Sequence, residues 1–427
     1  MLRLIFTLVV FLLLSAAQLL PACADDGVWI RDIHITGLQR TSPRTILREL
    51  PFSVGGLWHA DSQAAGERRL RNLGLFSTVV ILPPGEDGSV HVVLKERWSL
   101  FILPEASRSD IGKSTAGVTL TEHNLWGLHH QLRVAVREDT GKNFSGLKGT
   151  RADGSYQWRR VADGPVSLAF GMGAGRSVFD AFDQGVLTGQ YQQQNSSWYT
   201  SASWALGAVP GDGWDLGLGF YSSRSTFRLV TGAPATLVQD SRRNSVLSTV
   251  TYTNLDDHTT WITGTGFQYA LDVAHQGFGS TVNVYRQTSY LTHHTRLYSS
   301  TATLDWRISG GAASGQVLKD GLFDIGSNSG LRGYLPGELQ GQYYLFGNIE
   351  GRFPLPAASN VQLVAFSDVG QIWSSHRPAF RRPVVAGFGG GARLTLRWLV
   401  KGTFRVDAAY GTATRRWRFY FGTGQAF

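Results

Sequence analysis

The chain is expected to be mainly β: a 16-stranded transmembrane antiparallel β-barrel preceded by one small α+β domain of order β-α-α-β-β. Three observations predict this. Charged residues are only 17% of the 427, Gly numbers 51, and there are 23 Phe, 14 Tyr and 13 Trp; soluble domains average about 25% charge and about 7% Gly. After residue 20 no uninterrupted apolar run approaches the ~20 residues a spanning helix needs. From Trp98 onward, short segments alternate apolar with polar residues and are separated by turn formers. So many aromatics exclude a disordered chain, and the missing apolar runs exclude a helical membrane protein.

Residues 1–24 read as a cleaved secretory signal. Arg3 supplies the positive start, Leu4 to Leu14 the apolar core, and Ala22-Cys23-Ala24 an A-x-A-like cleavage site. The apolar core is short for a membrane anchor, and Pro21 fits poorly in a lipoprotein box. Cleavage after Ala24 would remove the single cysteine, so no disulfide or thiolate chemistry is expected of the mature chain. Residues 25–97 hold nine basic and nine acidic side chains, and residues 98–427 hold 30 and 22, so the excess positive charge belongs to the second part. An exported chain without Lys/Arg runs is not expected to bind nucleic acid.

Residues 25–97 form the first unit. Val28 to Thr36 is β-like, with Ile33 and Ile35 on one face, and Gly37 ends it. Ser42 and Pro43 can open a helix, which Ile46, Leu47 and Leu50 continue and Pro51 stops. A second helix runs from Asp61 through Leu70 and Leu73 to Gly74. Phe76 to Leu82 and Ser89 to Glu96 then read as strands around a Pro83-Pro84-Gly85 turn; in the latter Val90, Val92 and Leu94 alternate with His91, Val93 and Lys95. The segments Ile33-His34-Ile35-Thr36-Gly37 and Leu73-Gly74-Leu75-Phe76 resemble the first strand and the helix-to-strand step of a POTRA (polypeptide-transport-associated) domain. Such a domain offers an open sheet edge to which an extended client can add a strand. The client-binding strand is expected at Val90, Val92 and Leu94.

Residues 98–427 form the second unit. Leu132-Val134-Val136 alternates with Arg133 and Arg137, and Ala302-Leu304-Trp306-Ile308 with Asp305 and Arg307. Ala392-Leu394-Leu396-Trp398 alternates with Arg393 and Arg397, Phe404-Val406-Ala408-Tyr410 with Arg405, and Trp417-Phe419-Phe421 with Arg416 and Arg418. Barrels face apolar residues outward and polar ones inward, and a closed barrel satisfies every backbone group in lipid. About 20 residues per strand over this length gives 16 or 17 segments, and the preference for even numbers selects 16.

Leu331-Arg332-Gly333-Tyr334 stands in a Gly-rich segment, residues 320–342, followed by Asn348-Ile349-Glu350-Gly351-Arg352-Phe353 and Phe366-Ser367-Asp368-Val369-Gly370. Asn124-Leu125-Trp126-Gly127 lies near the start of the unit, and aromatic Phe427 ends the chain as a barrel C-terminal signal. This ordered set resembles the BamA/TamA family of outer-membrane insertases and transporters. The resemblance implies a loop folded back into the barrel, with Arg332 meeting Glu350 and Asp368, and Phe366, Asp368 and Gly370 facing inward so that Gly370 leaves the loop room. An unpaired buried charge would be costly, and Arg can grip a carboxylate with two donors.

The resemblance further implies a protein of the bacterial outer membrane, with its POTRA domain in the periplasm. Its expected clients are unfolded outer-membrane or secreted polypeptides, received at the POTRA domain for insertion or translocation. Outer-membrane lipids, and periplasmic chaperones or lipoproteins, complete the expected partners. The runner-up is a two-partner secretion translocator, although the start of the first strand close to the cleavage site leaves no room for a plug helix or a second POTRA domain. A passive anion-preferring porin comes third. No enzyme, cofactor or metal is expected: His129-His130 and His293-His294 are adjacent, so their side chains diverge on a strand, and Asp256-Asp257-His258 reads as an exposed loop tip.

Overall fold

The computed structural model describes residues 28–427 except 109–112, 142–147, 184–185, 208, 236, 298–301, 328–329, 375–382 and 424–427. The expected signal, residues 1–24, and Phe427 lie outside the described residues.

The first unit follows the order β1 (Asp32–Thr36), α1 (Pro43–Leu47), α2 (Ser62–Asn72), β2 (Phe76–Leu82) and β3 (Ser89–Glu96). Its sheet has the order β1-β3-β2, with β1 and β3 parallel and β2 and β3 antiparallel. Ile46 of α1, Leu70 of α2, Ile81 of β2 and Val90, Val92 and Leu94 of β3 bury one another in a single apolar core. This corrects one expectation. The strand carrying Val90, Val92 and Leu94 is the central one, paired on both sides, and those three side chains fill the core. It has no open edge to offer. The edges belong to β1 and β2.

The second unit is one antiparallel sheet of 16 strands. They are β4 (Leu100–Arg108), β5 (Lys113–Leu125), β6 (His130–Gly141), β7 (Gly149–Trp158), β8 (Val166–Asp183), β9 (Val186–Ala205), β10 (Gly213–Gly232), β11 (Ser241–Asp257), β12 (Ile262–Ala274), β13 (Val284–Arg296) and β14 (Thr303–Gly315). After a long connection come β17 (Tyr343–Leu355), β18 (Ala358–Trp373), β19 (Val385–Thr395), β20 (Thr403–Gly411) and β21 (Arg416–Thr423). The connection between β14 and β17 carries its own two-residue hairpin, β15 (Phe323–Asp324) and β16 (Gln340–Gly341). Each strand pairs with its neighbour in sequence because short turns favour antiparallel hairpins.

β4 and β21 are the two ends of the strand order. The sheet comes round to meet itself on the side of the small domain. Trp98 forms a parallel bridge with Leu399 in the turn before β20, and the rings of Phe101 on β4 and Phe404 on β20 lie 6.0 Å apart. Among the described residues no ladder joins β4 to β21.

Candidate functional site: a lumenal arginine knot and a docked domain

The connection between β14 and β17 turns back into the barrel. Leu331 and Tyr334 pack with Ile325, with Phe346 of β17 and with Val385 at the start of β19. This apolar seat aims Arg332 at the wall, where it is 0% exposed. Its Nε and Nη2 donate to the two oxygens of Asp368, both at 2.8 Å, and its Nη1 donates to Glu350 Oε2 at 2.6 Å. Its backbone N–H donates to Asp368 Oδ2 at 3.0 Å, and its guanidinium lies over the Phe366 ring at 3.5 Å. A two-pronged grip and a ring face are geometries that a lysine ammonium cannot copy.

The knot extends past the residues the sequence singled out. Arg393 of β19 donates to Glu350 Oε2 at 3.1 Å and to Asp407 Oδ1 of β20 at 2.6 Å. Asn348 donates to Asp368 Oδ1 at 2.7 Å and to the Gly330 carbonyl at 2.9 Å, while accepting from Arg307 of β14. Arg352 grips Asp305, which also meets His294 Nδ1 at 2.6 Å. The added partners sit on β13, β14, β17, β19 and β20; Asn348 and Arg352 stand in the motif around Glu350, and no motif marked the others. Tyr420 on β21 clamps the tip from the other side: its hydroxyl accepts from the Gly333 N–H and donates to the Tyr334 carbonyl, both at 2.9 Å. Arg418 of β21 donates to Glu338 at 3.1 Å. The loop therefore ties the last strand to the wall.

Gly333 has φ +98°, and a Cβ there would meet the Gly411 backbone at 2.7 Å. A side chain at Gly387 would meet the Arg332 carbonyl at 1.8 Å. Gly370 does face inward, but it makes room for Phe346 on β17, with a Cβ distance of 2.6 Å, and not for the loop. The loop's own clearance comes from Gly387 and Gly411. Elsewhere in the loop, burial pushes the Asp324 carboxyl up to about 6, against the pull of the Gly326 and Gly337 N–H groups.

The expected positive lining is largely neutralised. Arg133 and Arg137 share Asp153, and Arg393 has Glu350 and Asp407. Arg405 is buried on β20, Arg397 lies in an exposed turn after β19, and Arg416 is exposed at the start of β21. Among the described residues no group of three His, Cys, Asp or Glu is placed to hold a metal.

A second set of contacts joins the small domain to the barrel mouth. Ser42 N–H and Thr45 Oγ1 both donate to the Gly127 carbonyl, at 2.9 and 2.8 Å, and Asn124 donates to Thr41 Oγ1 at 2.9 Å. The Asn124-Leu125-Trp126-Gly127 motif is thus a joint for α1. Arg44 of α1 and Arg48 just past its end reach Asp163, Arg160 reaches Glu49 at 3.1 Å, and Arg68 reaches Asp212 at 2.9 Å. Arg71 of α2 takes both oxygens of Asp256 at 3.1 Å, and Asn72 donates to the Leu255 carbonyl. Asp256-Asp257-His258 is therefore not an exposed tip: α2 of the small domain covers it. On the domain side, the N–H groups of Thr41, Gln39 and Arg40 outweigh burial and hold the Glu96 carboxyl below its usual range.

The Omp85 superfamily domain matches residues 174–427, more than half of the chain, and the surface antigen variable number repeat of POTRA type matches residues 28–97. The chain belongs to the Omp85 superfamily. Members are outer-membrane β-barrels with periplasmic POTRA domains that serve protein insertion or polypeptide translocation. Among solved structures, CdiB from Acinetobacter baumannii matches with a TM-score of 0.59 and 16% identity, over 92% of this chain and 73% of that one. CdiB from Escherichia coli matches with 0.57 and 11%, over 96% and 91%. BamA from Haemophilus ducreyi lacking POTRA domains 1–3 matches with 0.55 and 15%, over 92% and 84%. At such identities the likeness is one of fold. No curated protein matches the chain.

Proposed function

We propose that this Omp85 protein, freed of residues 1–24, takes extended polypeptides at the β2 edge of its periplasmic POTRA domain. It then releases them at the seam between β4 and β21 for insertion into the outer membrane. The observation that carries this reading is the way the arginine knot and Tyr420 tie the loop to β21, while no ladder closes β21 onto β4 among the described residues. A strand whose edge is unpaired is a template for another strand. The loop supports a barrel that keeps its shape while its seam is available.

The β2 edge is favoured by what surrounds it. Val80 and Leu82 on β2 and Val93 on β3 are 38%, 47% and 40% exposed on the sheet face away from the core. An added strand could pair with the β2 backbone and lay its apolar side chains beside these three. Main-chain pairing asks little of the client's sequence.

A photoreactive amino acid at position 80 or 82 should capture extended polypeptides in cells, and one at Val92 should capture none. A folded protein that yields no adducts from either edge position would sink this reading. The second reading, a two-partner secretion translocator, draws on the CdiB likeness. The captured clients decide between the two: barrel precursors support insertion, and one secreted partner supports translocation.

A further inference from the structure

The outer wall of the barrel carries a basic patch that neither the lumenal knot nor the docked domain uses. On β8 the ring of Phe179 lies under Lys319 of the lumenal loop, so odd-numbered residues there face inward. Even-numbered Leu168, Phe170 and Met172 are exposed on the opposite, lipid-facing side. Arg176 continues that outward row. On β10, Leu216 and Leu218 are likewise exposed and Arg224 continues their row. Pairing sets Arg176 beside Gln194 of β9, and Arg224 beside both Ser196 of β9 and Arg242 of β11.

The height of the patch is set by its neighbours. The apolar belt ends at Met172, paired with Trp198, whose ring lies 5.4 Å from that of Phe220. Aromatic rings of this kind mark the boundary between hydrocarbon and headgroups. Arg224 and Arg176 lie one and two outward positions beyond that boundary, about 7 and 13 Å along the strands. β8, β9 and β10 are 18, 20 and 20 residues long, about twice what the hydrocarbon requires. Their far halves therefore rise through the headgroup layer on the side away from the POTRA domain. There Lys148, Thr150, Arg176, Gln194, Arg224 and Thr226 line an open cleft of 670 Å³.

Among the described residues the charges in this cleft are poorly matched. Among the described residues neither Arg176 nor Arg224 has an ion-pair partner. Arg224 and Arg242 stand directly opposite one another across two strands, a like-charge pairing that is unfavourable unless an anion lies between. On the same rim, Lys148 takes Glu138 at 3.1 Å, and Asp240 accepts the Phe227 N–H at 2.8 Å. Gln194 and Thr226 add neutral donors.

We infer that this cleft binds the phosphate groups of an anionic lipid in the outer leaflet, whose acyl chains lie along Met172, Phe170 and Leu218 below. Arginines above an apolar wall suit a ligand with a phosphorylated head over hydrocarbon tails, and a two-pronged guanidinium suits phosphate. The inference rests on the outer-membrane reading and gives the expected lipid partner a chemical class and a site.

The test uses the full-length protein in a mild detergent, titrated with a bis-phosphorylated disaccharide glycolipid (lipid A) and followed by native mass spectrometry. Each of Arg176→Ser, Arg224→Ser and Arg242→Ser should weaken binding about fivefold, whereas Arg224→Lys should keep most of it. The phosphate-free glycolipid should bind no better to the native protein than to the triple variant. Unchanged affinity in a triple variant that still migrates as a heat-modifiable folded barrel would overturn the inference. So would equal binding of the phosphate-free lipid, or displacement by inorganic phosphate at matching concentration, which would mark a soluble-anion site. Reconstitution into lipid vesicles checks the membrane reading separately, since a protein that fails to insert fails before any lipid is compared.

Discussion

Two clusters of arginine–carboxylate contacts, one in the lumen and one at the POTRA domain, differ in what surrounds them. Inside the barrel, Arg332 is wholly buried against Asp368 and Glu350, and every partner has further partners of its own. At the periplasmic mouth, Arg44, Arg68 and Arg71 meet Asp163, Asp212 and Asp256 with side chains that keep part of their surface exposed, Arg44 most of all. Removing one member of a buried set strands a charge in a dry site and costs about 3–5 kcal/mol, whereas an exposed pair contributes roughly 0–1 kcal/mol and weakens with salt. The same chemistry therefore makes a fixed lock in the lumen and, apart from the buried Arg160–Glu49 pair, more weakly held contacts at the POTRA domain.

The contrast can be broken most strongly at the lock. Arg332→Ala should destabilise the folded barrel by about 3–5 kcal/mol, read as a lower temperature for loss of heat-modifiable migration, and should lower insertion or translocation activity. Arg332→Lys should recover only part, because it loses the second prong on Asp368. A fully active, equally heat-resistant Arg332→Ala variant would remove the knot from the mechanism. Next in size is Gly387→Ala, which drives a methyl into the Arg332 carbonyl; a cost of about 1–3 kcal/mol should appear as protease cleavage within the loop.

A third expectation concerns pH. The buried Asp324 carboxyl binds its proton more tightly in the seated loop than in an unfolded chain. The loop should therefore be held best below about pH 4, lose stability as pH rises to about 6, and change little above. Limited proteolysis across that range would read this, and Asp324→Asn should abolish the dependence. The smallest effect belongs to the joint. Arg71→Ala or Asp256→Asn should cost about 0–1 kcal/mol with little change in barrel melting. Either should speed cleavage between the POTRA domain and β4, as should raising the salt around the native protein. A joint insensitive to salt would mean that the backbone contacts at Gly127 dominate.

Some of this was legible in local sequence. β2 and β3 run over Phe76–Leu82 and Ser89–Glu96 as their alternation predicts, and the barrel has the expected 16 strands. A strand's two-residue period and its turn residues are local properties, so nearest-neighbour hairpins follow from them. Arg332, Glu350 and Asp368 were nameable because they stand in an ordered set of motifs. Arg393, Asp407 and Tyr420 were not, since each is one inward polar residue among many until the barrel curves round and brings five strands to one loop.

What sequence alone determined is thus the alternation, the strand number and the identity of the charged loop tip. The tertiary structure decided which of three POTRA strands lies in the middle, because a parallel pairing between β1 and β3 joins residues more than 50 positions apart. It also decided that Asp256 serves as a seat for α2, and that Gly387 and Gly411, not Gly370, admit the loop. Long-range pairing depends on the geometry of closure, which no window of neighbouring residues contains.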